Sequence, residues 1–172
     1  EWNAEIKAVI SNYDLLKDFT ERFNLPYHHI AAEALSREAH EQLLISAINN
    51  YAPDYIVLAR YMRILTPDFV QQYKDRIINI HHSFLPAFIG AHPYRQAYER
   101  GVKIIGATAH FVNNNLDEGP IICQNVIPVD HSQNAAEMAR AGRGIEKMVL
   151  AQALKLVLED KVMLSGNKTV IF

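Results

Sequence analysis

The order of apolar runs and amphipathic stretches along the chain predicts its class of fold. Three runs with little polar alternation are IKAVIS (6–11), YIVLA (55–59) and IINI (77–80). Such runs are typical of strands that are covered on both faces of a parallel sheet. Further strands are predicted at 103–112 and 121–129, with a short pair around 161–171. Because helical patterns alternate with the strands, we expect an α/β fold, with a mostly parallel twisted sheet and helices on both faces.

Helix-starting residues precede three of the amphipathic stretches. Ser36 is a candidate N-cap for the first, and Thr66 followed by Pro67 is a typical start for the second. Asn134, with Glu137 three residues later, has the spacing of a capping box before a long apolar stripe. These signals predict where the helices begin.

Composition narrows the classes of protein that the chain fits. At 172 residues, 49% of them hydrophobic and 21% charged, it is long enough for one domain with a real core. A net charge of −2 argues against a nucleic-acid partner. No apolar run reaches the roughly 18 residues of a membrane span, and no signal peptide is recognisable. With the single Cys123 excluding an internal disulfide, these features predict a cytoplasmic protein without a membrane partner.

Polar or turn-rich segments follow three of the predicted strands. They are RYMRIL (60–65), NIHHSFLP (79–86) and HFVNNNLDEGP (110–120). In open α/β sheets, ligands bind beyond the carboxyl ends of the strands. We therefore expect the three segments to meet along one edge of the sheet in a single site.

The residue types in two of these segments indicate acyl-group chemistry. Asn79 and His81 are two positions apart at a strand end, so their side chains share a face, whereas His82 points to the other face. An amide donor beside an imidazole suits an oxyanion that develops during reaction. A carboxylate from Asp117, in the turn LDEGP, would favour the charged imidazolium. Together the three support such chemistry without a metal or a covalent nucleophile.

Plainer interpretations stay open for the same residues. Asn79 and His81 also fit a role in bracing a loop, and Asp117 fits a turn. Ser83 lacks the GxSxG elbow of a serine nucleophile. A metal site is disfavoured because the candidate ligands lack HxxxH or HxH spacing. Those candidates are His81, His82, His92, His110 and Asp117.

Taken together, the two motifs resemble the formyltransferase-hydrolase family, whose members act on 10-formyltetrahydrofolate. That family has Asn-x-His-x-Ser-x-Leu-Pro followed downstream by Leu-Asp-x-Gly-Pro, and both motifs are complete here, in order, with YMRIL before them. The resemblance runs from about residue 5 to the C-terminus. It implies a Rossmann-like formyltransferase fold for residues 1–172, as one catalytic domain.

The resemblance also assigns expected roles to particular positions. Asn79, His81 and Asp117 become the catalytic trio, and His110 and His82 become supporting residues. No metal or prosthetic cofactor is implied, since the folate is the substrate. Eight residues are expected to line the folate pocket, largely through backbone groups: Met62, Arg63, Ile64, Leu65, Val112, Asn113, Asn114 and Asn115.

Within the family, the chain looks more similar to the hydrolases than to the transferases. The transferases typically have proline after the catalytic histidine, where this chain has His82. The expected reaction is hydrolysis of 10-formyltetrahydrofolate to formate and tetrahydrofolate, which supplies formate for one-carbon metabolism and purine biosynthesis. Two alternatives stay open: formyl transfer to an amine such as glycinamide ribonucleotide, and a non-catalytic folate-binding regulatory module.

Family members also carry features that precede the region matched here. A first strand and helix begin the family fold, and that strand is central, so we expect a gap in the sheet of the present chain and an N-terminally incomplete domain. The hydrolases carry a small regulatory ACT domain before that strand, which is expected in the full-length chain. A homo-oligomer is expected as well.

Overall fold

The computed structural model describes residues 4–90 and 92–172. These residues form eight strands and five helices. The strands are β1 (Val9–Ser11), β2 (Tyr27–His29), β3 (Ile56–Ala59), β4 (Ile77–His81), β5 (Ile104–Phe111), β6 (Ile121–Pro128), β7 (Val162–Ser165) and β8 (Lys168–Ile171). The helices are α1 (Lys17–Glu21), α2 (Arg37–Asn49), α3 (Pro67–Gln72), α4 (Pro93–Arg100) and α5 (Ala135–Leu158).

The three predicted helix starts are confirmed. The Ser36 hydroxyl accepts a hydrogen bond from the backbone N–H of Ala39 at 3.1 Å, at the start of α2. Thr66 does the same before α3, where Pro67 is the first helical residue. Asn134 and Glu137 form a complete capping box before α5. Local side-chain chemistry therefore decides where these helices begin.

The central sheet contains four strands in the order β3-β4-β5-β6. β3 and β4 are parallel, whereas β4–β5 and β5–β6 are antiparallel. The α/β class is thus confirmed, and the sheet is mixed. The direction changes because residues 82–103, including α4, return the chain to the edge where β4 ends, so β5 starts there and runs back. A separate parallel pair is formed by β1 and β2, and β7 and β8 form a hairpin.

Alternation along β4 sends its side chains to two different surroundings. Ile78 and Ile80 face α5, in a core cluster that includes Phe111 and Val149. Ile77, on the opposite face, packs in a second cluster with residues of α2 and α3. Asn79 and His81 share that face with Ile77, because residues two apart point the same way. Polar side chains therefore lie on an otherwise apolar surface of a central strand.

The longest helix, α5, has 24 residues and covers β4, β5 and β6. Within residues 4–90 and 92–172, neither this helix nor any other combines the length and the apolar composition needed to cross a membrane.

Candidate active site

Strand register places Asn79 directly opposite His110, and His81 opposite Thr108. The Asn79 Nδ2 atom lies 3.2 Å from His110 Nε2. The other ring nitrogen, His110 Nδ1, lies 2.8 Å from the carbonyl oxygen of Phe111. Since a carbonyl can only accept, Nδ1 carries the proton and Nε2 accepts from Asn79. The imidazole thereby fixes the orientation of the Asn79 amide.

Burial keeps His110 in the state that this arrangement needs. The side chain is 2% exposed. Desolvation lowers the pKa of His110, although the Phe111 carbonyl and the Asp117 carboxylate oppose that shift. A neutral His110 retains a lone pair on Nε2, so it accepts the hydrogen bond from Asn79.

His81 faces an oxygen atom at each ring nitrogen. Its Nδ1 lies 3.4 Å from Asp117 Oδ1, and both side chains are buried. Its Nε2 lies 3.2 Å from the carbonyl oxygen of Phe88. A carboxylate and a carbonyl both accept, so an imidazolium, with two N–H donors, satisfies both contacts at once.

Asp117 reaches His81 because the loop after β5 folds back along the sheet. Its φ is +57°, and its Oδ2 accepts from the backbone N–H of Gly90 at 3.3 Å. Two residues later the chain passes Phe111 so closely that a Cβ on Gly119 would lie 1.7 Å from the Phe111 carbonyl oxygen. Only glycine fits there. Asp117 Oδ1 also lies 4.0 Å from His110 Nε2.

This geometry corrects the expectation that three strand ends share one edge. That argument is wrong for β5, which runs antiparallel to β4 and therefore ends at the opposite edge. The site lies instead on one face of the sheet. There the structure brings together Asn79, His81, His110 and Asp117, called the polar cluster below.

His82 lies beside this cluster. Its ring stacks on that of His81, with centroids 5.4 Å apart and planes inclined by 28°. On its other side is the ring of Tyr94, at 5.8 Å. Desolvation, followed by the effect of His81, lowers the pKa of His82. The residue leaves the face shared by Asn79 and His81, but it still contacts His81.

A buried polar network that sequence reasoning missed holds the loop after β4. The Thr108 hydroxyl donates to the Ser83 carbonyl at 2.8 Å and accepts from the Leu85 N–H at 3.0 Å. Gln124 on β6 donates to the Leu85 carbonyl at 2.9 Å. Ser83 itself donates to the Ala87 carbonyl, which gives it a structural partner. The sequence signal that could have revealed this network is the presence of Thr108 and Gln124 within otherwise apolar strands.

The predicted folate segments, residues 62–65 and 112–115, are much more exposed. Met62 and Ile64 are 63% and 53% exposed. Leu65 and Val112 both pack against the second core cluster, the one that contains Ile77, and this contact anchors one part of each segment. Arg63 and Asn113 are half-buried, and Asn114 and Asn115 are exposed.

A buried carboxyl group, which no pattern in the sequence indicates, holds the end of the first of these segments. Glu41 on α2 accepts hydrogen bonds from both the backbone N–H and the hydroxyl of Thr66, the residue that follows Leu65. The N–H contact is 2.8 Å long. The path of the segment into α3 is therefore set from the neighbouring helix.

The remaining histidines lie outside the cluster. His40 is buried with Nε2 3.1 Å from the Ile30 carbonyl oxygen, and His28 contacts the Tyr51 hydroxyl at 2.7 Å. His92, one of the candidate metal ligands, is exposed at the start of α4. Among the residues that the structure describes, no three His, Cys, Asp or Glu side chains are grouped so that they could hold a metal ion.

Comparison with known families gives this geometry a context. The model of a family described as formyl transferase matches residues 1–154, most of the chain. The chain belongs to the formyl transferase family. The polar cluster of this formyl transferase domain lies entirely within the matched residues.

Three curated relatives of the formyl transferase domain share one name. Formyltetrahydrofolate deformylase of Haemophilus influenzae is 62% identical over 169 residues, which cover 98% of this chain and 61% of the relative. The enzymes of that name from Escherichia coli K12 and Bacillus subtilis are 60% and 55% identical, again over 98% of this chain and over 60% and 56% of their own lengths. The chain thus spans about three fifths of these relatives.

Solved structures include members with two different names. A formyltetrahydrofolate deformylase from Pseudomonas syringae pv. tomato aligns with a TM-score of 0.96 and 46% identity, over 100% of this chain and 58% of its own. A glycinamide ribonucleotide transformylase from Symbiobacterium toebii aligns with a TM-score of 0.93 and 33% identity, over 98% of this chain and 81% of its own. The fold is therefore common to both groups, and sequence identity is higher with the deformylase.

Proposed function

We propose that this chain carries the catalytic centre of an enzyme that hydrolyses 10-formyltetrahydrofolate to formate and tetrahydrofolate. The observation that carries the proposal is the buried contact of His81 with Asp117, beside an amide that His110 orients. The names of the curated relatives, at up to 62% identity, support the same reaction. Formate released in this way would enter one-carbon metabolism and purine biosynthesis.

Asn79 and His81 are proposed to stabilise the oxyanion. Water attacks the formyl carbon, a C–O bond forms, and the former carbonyl oxygen becomes negative. One N–H of Asn79 is directed at His110, and the second is proposed to meet the oxyanion. In the structure, Nε2 of His81 lies 3.2 Å from the carbonyl oxygen of Phe88. During the reaction its N–H is proposed to leave that carbonyl and to donate to the oxyanion. Two donors in a water-poor site give strong stabilisation.

Asp117 is proposed to hold the imidazolium and to order the attacking water. Its Oδ1 faces His81, and its Oδ2 is held by the Gly90 N–H, so the orientation of the carboxylate is fixed before substrate arrives. The intermediate then collapses and the bond between carbon and N10 breaks. Of the two protons of the attacking water, one passes to N10, and the other is released when the formic acid ionises to formate. No step uses a metal or a prosthetic cofactor.

The folate is proposed to bind across the segments 62–65 and 112–115. Their side chains are mostly exposed, so recognition is assigned to backbone N–H and C=O groups. The pterin ring carries several hydrogen-bond donors and acceptors, which suit an irregular backbone. Fixing of the first segment by Glu41 through Thr66 supports a preformed binding surface.

The assay that tests this function measures formate from 10-formyltetrahydrofolate with and without glycinamide ribonucleotide. We expect stoichiometric formate and tetrahydrofolate in its absence, at a rate that the amine leaves unchanged. Formylation of the amine would instead favour the transferase, whose fold is nearly as similar, with a TM-score of 0.93. Folate binding without any turnover would favour a regulatory module.

The proposal extends to the setting of the enzyme. We place it in the cytoplasm, as a homo-oligomer whose full-length chain carries an ACT domain. Light scattering of the complete gene product tests the oligomer.

Dialysis against a strong chelator is expected to leave turnover intact, and loss of activity that zinc restores would contradict the metal-free mechanism.

A further inference from the structure

A buried carboxylate outside the polar cluster has no role in the proposed chemistry. The Glu146 side chain, on α5, is 10% exposed, and its Oε2 lies 3.8 Å from Nε of the largely exposed Arg60. Its Oε1 accepts a hydrogen bond of 2.7 Å from the hydroxyl of Tyr94 on α4. A carboxyl group that is so far removed from water needs close hydrogen-bond partners, and Tyr94 is the nearer of the two.

The Tyr94 hydroxyl is held in one place and in one protonation state. A methyl group on Gly142 would lie only 2.0 Å from the Tyr94 hydroxyl oxygen. Because glycine has no side chain, the hydroxyl can occupy that position. Burial and the hydrogen bond to Glu146 raise the pKa of Tyr94 far above its usual range. The hydroxyl is therefore a permanent donor to the carboxylate.

From Tyr94, ring contacts lead directly to the polar cluster. The Tyr94 ring lies 5.8 Å from that of His82, and His82 lies 5.4 Å from His81. His82 follows His81 immediately and its ring stacks on that of His81, so the packing of one ring limits the positions open to the other. Burial and the neighbouring His81 lower the pKa of His82, which favours the neutral form of the ring that stacks on His81.

We propose that Tyr94, fixed by Glu146, is a positioning residue that holds His81 in its reactive orientation through the ring of His82. This inference rests on the proposed function, since it concerns the rate of the same hydrolysis. It gives α4 and α5 a part in the reaction, although neither helix contains a member of the polar cluster. A displacement of about 1 Å at a reacting group is enough to slow chemistry markedly.

The first test compares Tyr94→Phe with Tyr98→Phe in the complete gene product. Tyr98 is on the same helix and is half exposed, so it serves as the matched control. We expect Tyr94→Phe to lower kcat about fivefold, with KM unchanged, and Tyr98→Phe to match the wild type. The kcat is expressed per binding site titrated with tetrahydrofolate, which separates misplacement of His81 from a loss of folded protein.

The second test uses Glu146, in case Tyr94→Phe folds poorly. Glu146→Gln keeps an oxygen acceptor for the Tyr94 hydroxyl, and Glu146→Leu removes it at similar volume. We expect kcat per site to stay near the wild-type value in the glutamine variant and to fall about fivefold in the leucine variant. Equal values per site in wild type, Tyr94→Phe and Glu146→Leu would overturn the inference. A wild-type protein that releases no formate would overturn the proposed function instead.

Discussion

The polar cluster and the two predicted folate segments belong to one proposed site but differ in how they are built. His81 and His110 are buried in the sheet, and each has a named partner at both ring nitrogens. Met62 and Ile64 extend into solvent. The chemistry is thus assigned to side chains held in a dry environment, and recognition to backbone. The cluster should tolerate almost no substitution, whereas the segments should tolerate many.

Removal of either member of the His81–Asp117 contact should have the largest effect. His81→Ala and Asp117→Asn are each expected to reduce kcat by about a hundredfold or more, because the oxyanion loses a donor or the imidazolium loses its carboxylate. Formate release from 10-formyltetrahydrofolate measures this, with circular dichroism to confirm folding. Near-wild-type release from either variant would remove the mechanism.

Loss of the residue that orients Asn79 should have a smaller effect. His110→Phe keeps a ring in the same space but has no acceptor for Asn79, and we expect kcat to fall about tenfold. In a double-mutant cycle, Asn79→Ala should then reduce kcat by a much smaller factor in the His110→Phe background than in the wild type. Fully additive effects would show that the 3.2 Å contact does not orient the amide.

Buried neutral histidines should also make stability depend on pH. Burial lowers the pKa of His110 and of His82 in the folded state, so the unfolded chain takes up protons first as the pH falls below about 6.5. The free energy of unfolding should therefore decrease as the pH falls below that value. Urea unfolding between pH 8 and pH 5 checks this, and His110→Phe should flatten the curve. Identical curves would mean that folding does not lower the pKa of His110.

The smallest effects are expected in the exposed segments. Met62→Ala and Ile64→Ala should leave kcat unchanged and alter KM by at most about threefold, because the side chains are assigned no specific contact. Steady-state kinetics at varied folate concentration measures both constants. A rise in KM beyond tenfold would show that the segments read the substrate with their side chains, and the contrast with the polar cluster would be lost.

Local signals in the sequence were sufficient for part of this fold. Ser36, Thr66 and Asn134 identified three helix starts because a cap acts within three residues of itself. The strands of the central sheet were found within a residue or two because their apolar runs are long enough to stand out. The three-residue strand β2 at Tyr27–His29 is too short and too polar to give such a signal.

Long-range features were harder to obtain from the sequence. The direction of β5 depends on which edge residues 82–103 return to, and no local pattern encodes that. Asn79 and His81 share a face by simple alternation, which the sequence predicted. Asp117 meets His81 only because its loop folds back past Gly119. Glu146 and Tyr94 are 52 positions apart, and nothing in either segment indicates the other.

The position of Cys123 provides a natural chemical reporter on the site. It lies on β6, the outer strand of the central sheet, opposite Ala109 and beside the register shift at Ala109 and His110. Burial raises the pKa of its thiol, so alkylating reagents should react with it slowly while the strands stay paired. Since the chain has one cysteine, the rate of alkylation reports on the accessibility of this single position. Slower alkylation at saturating folate would show that folate binding stabilises the pairing of β5 with β6.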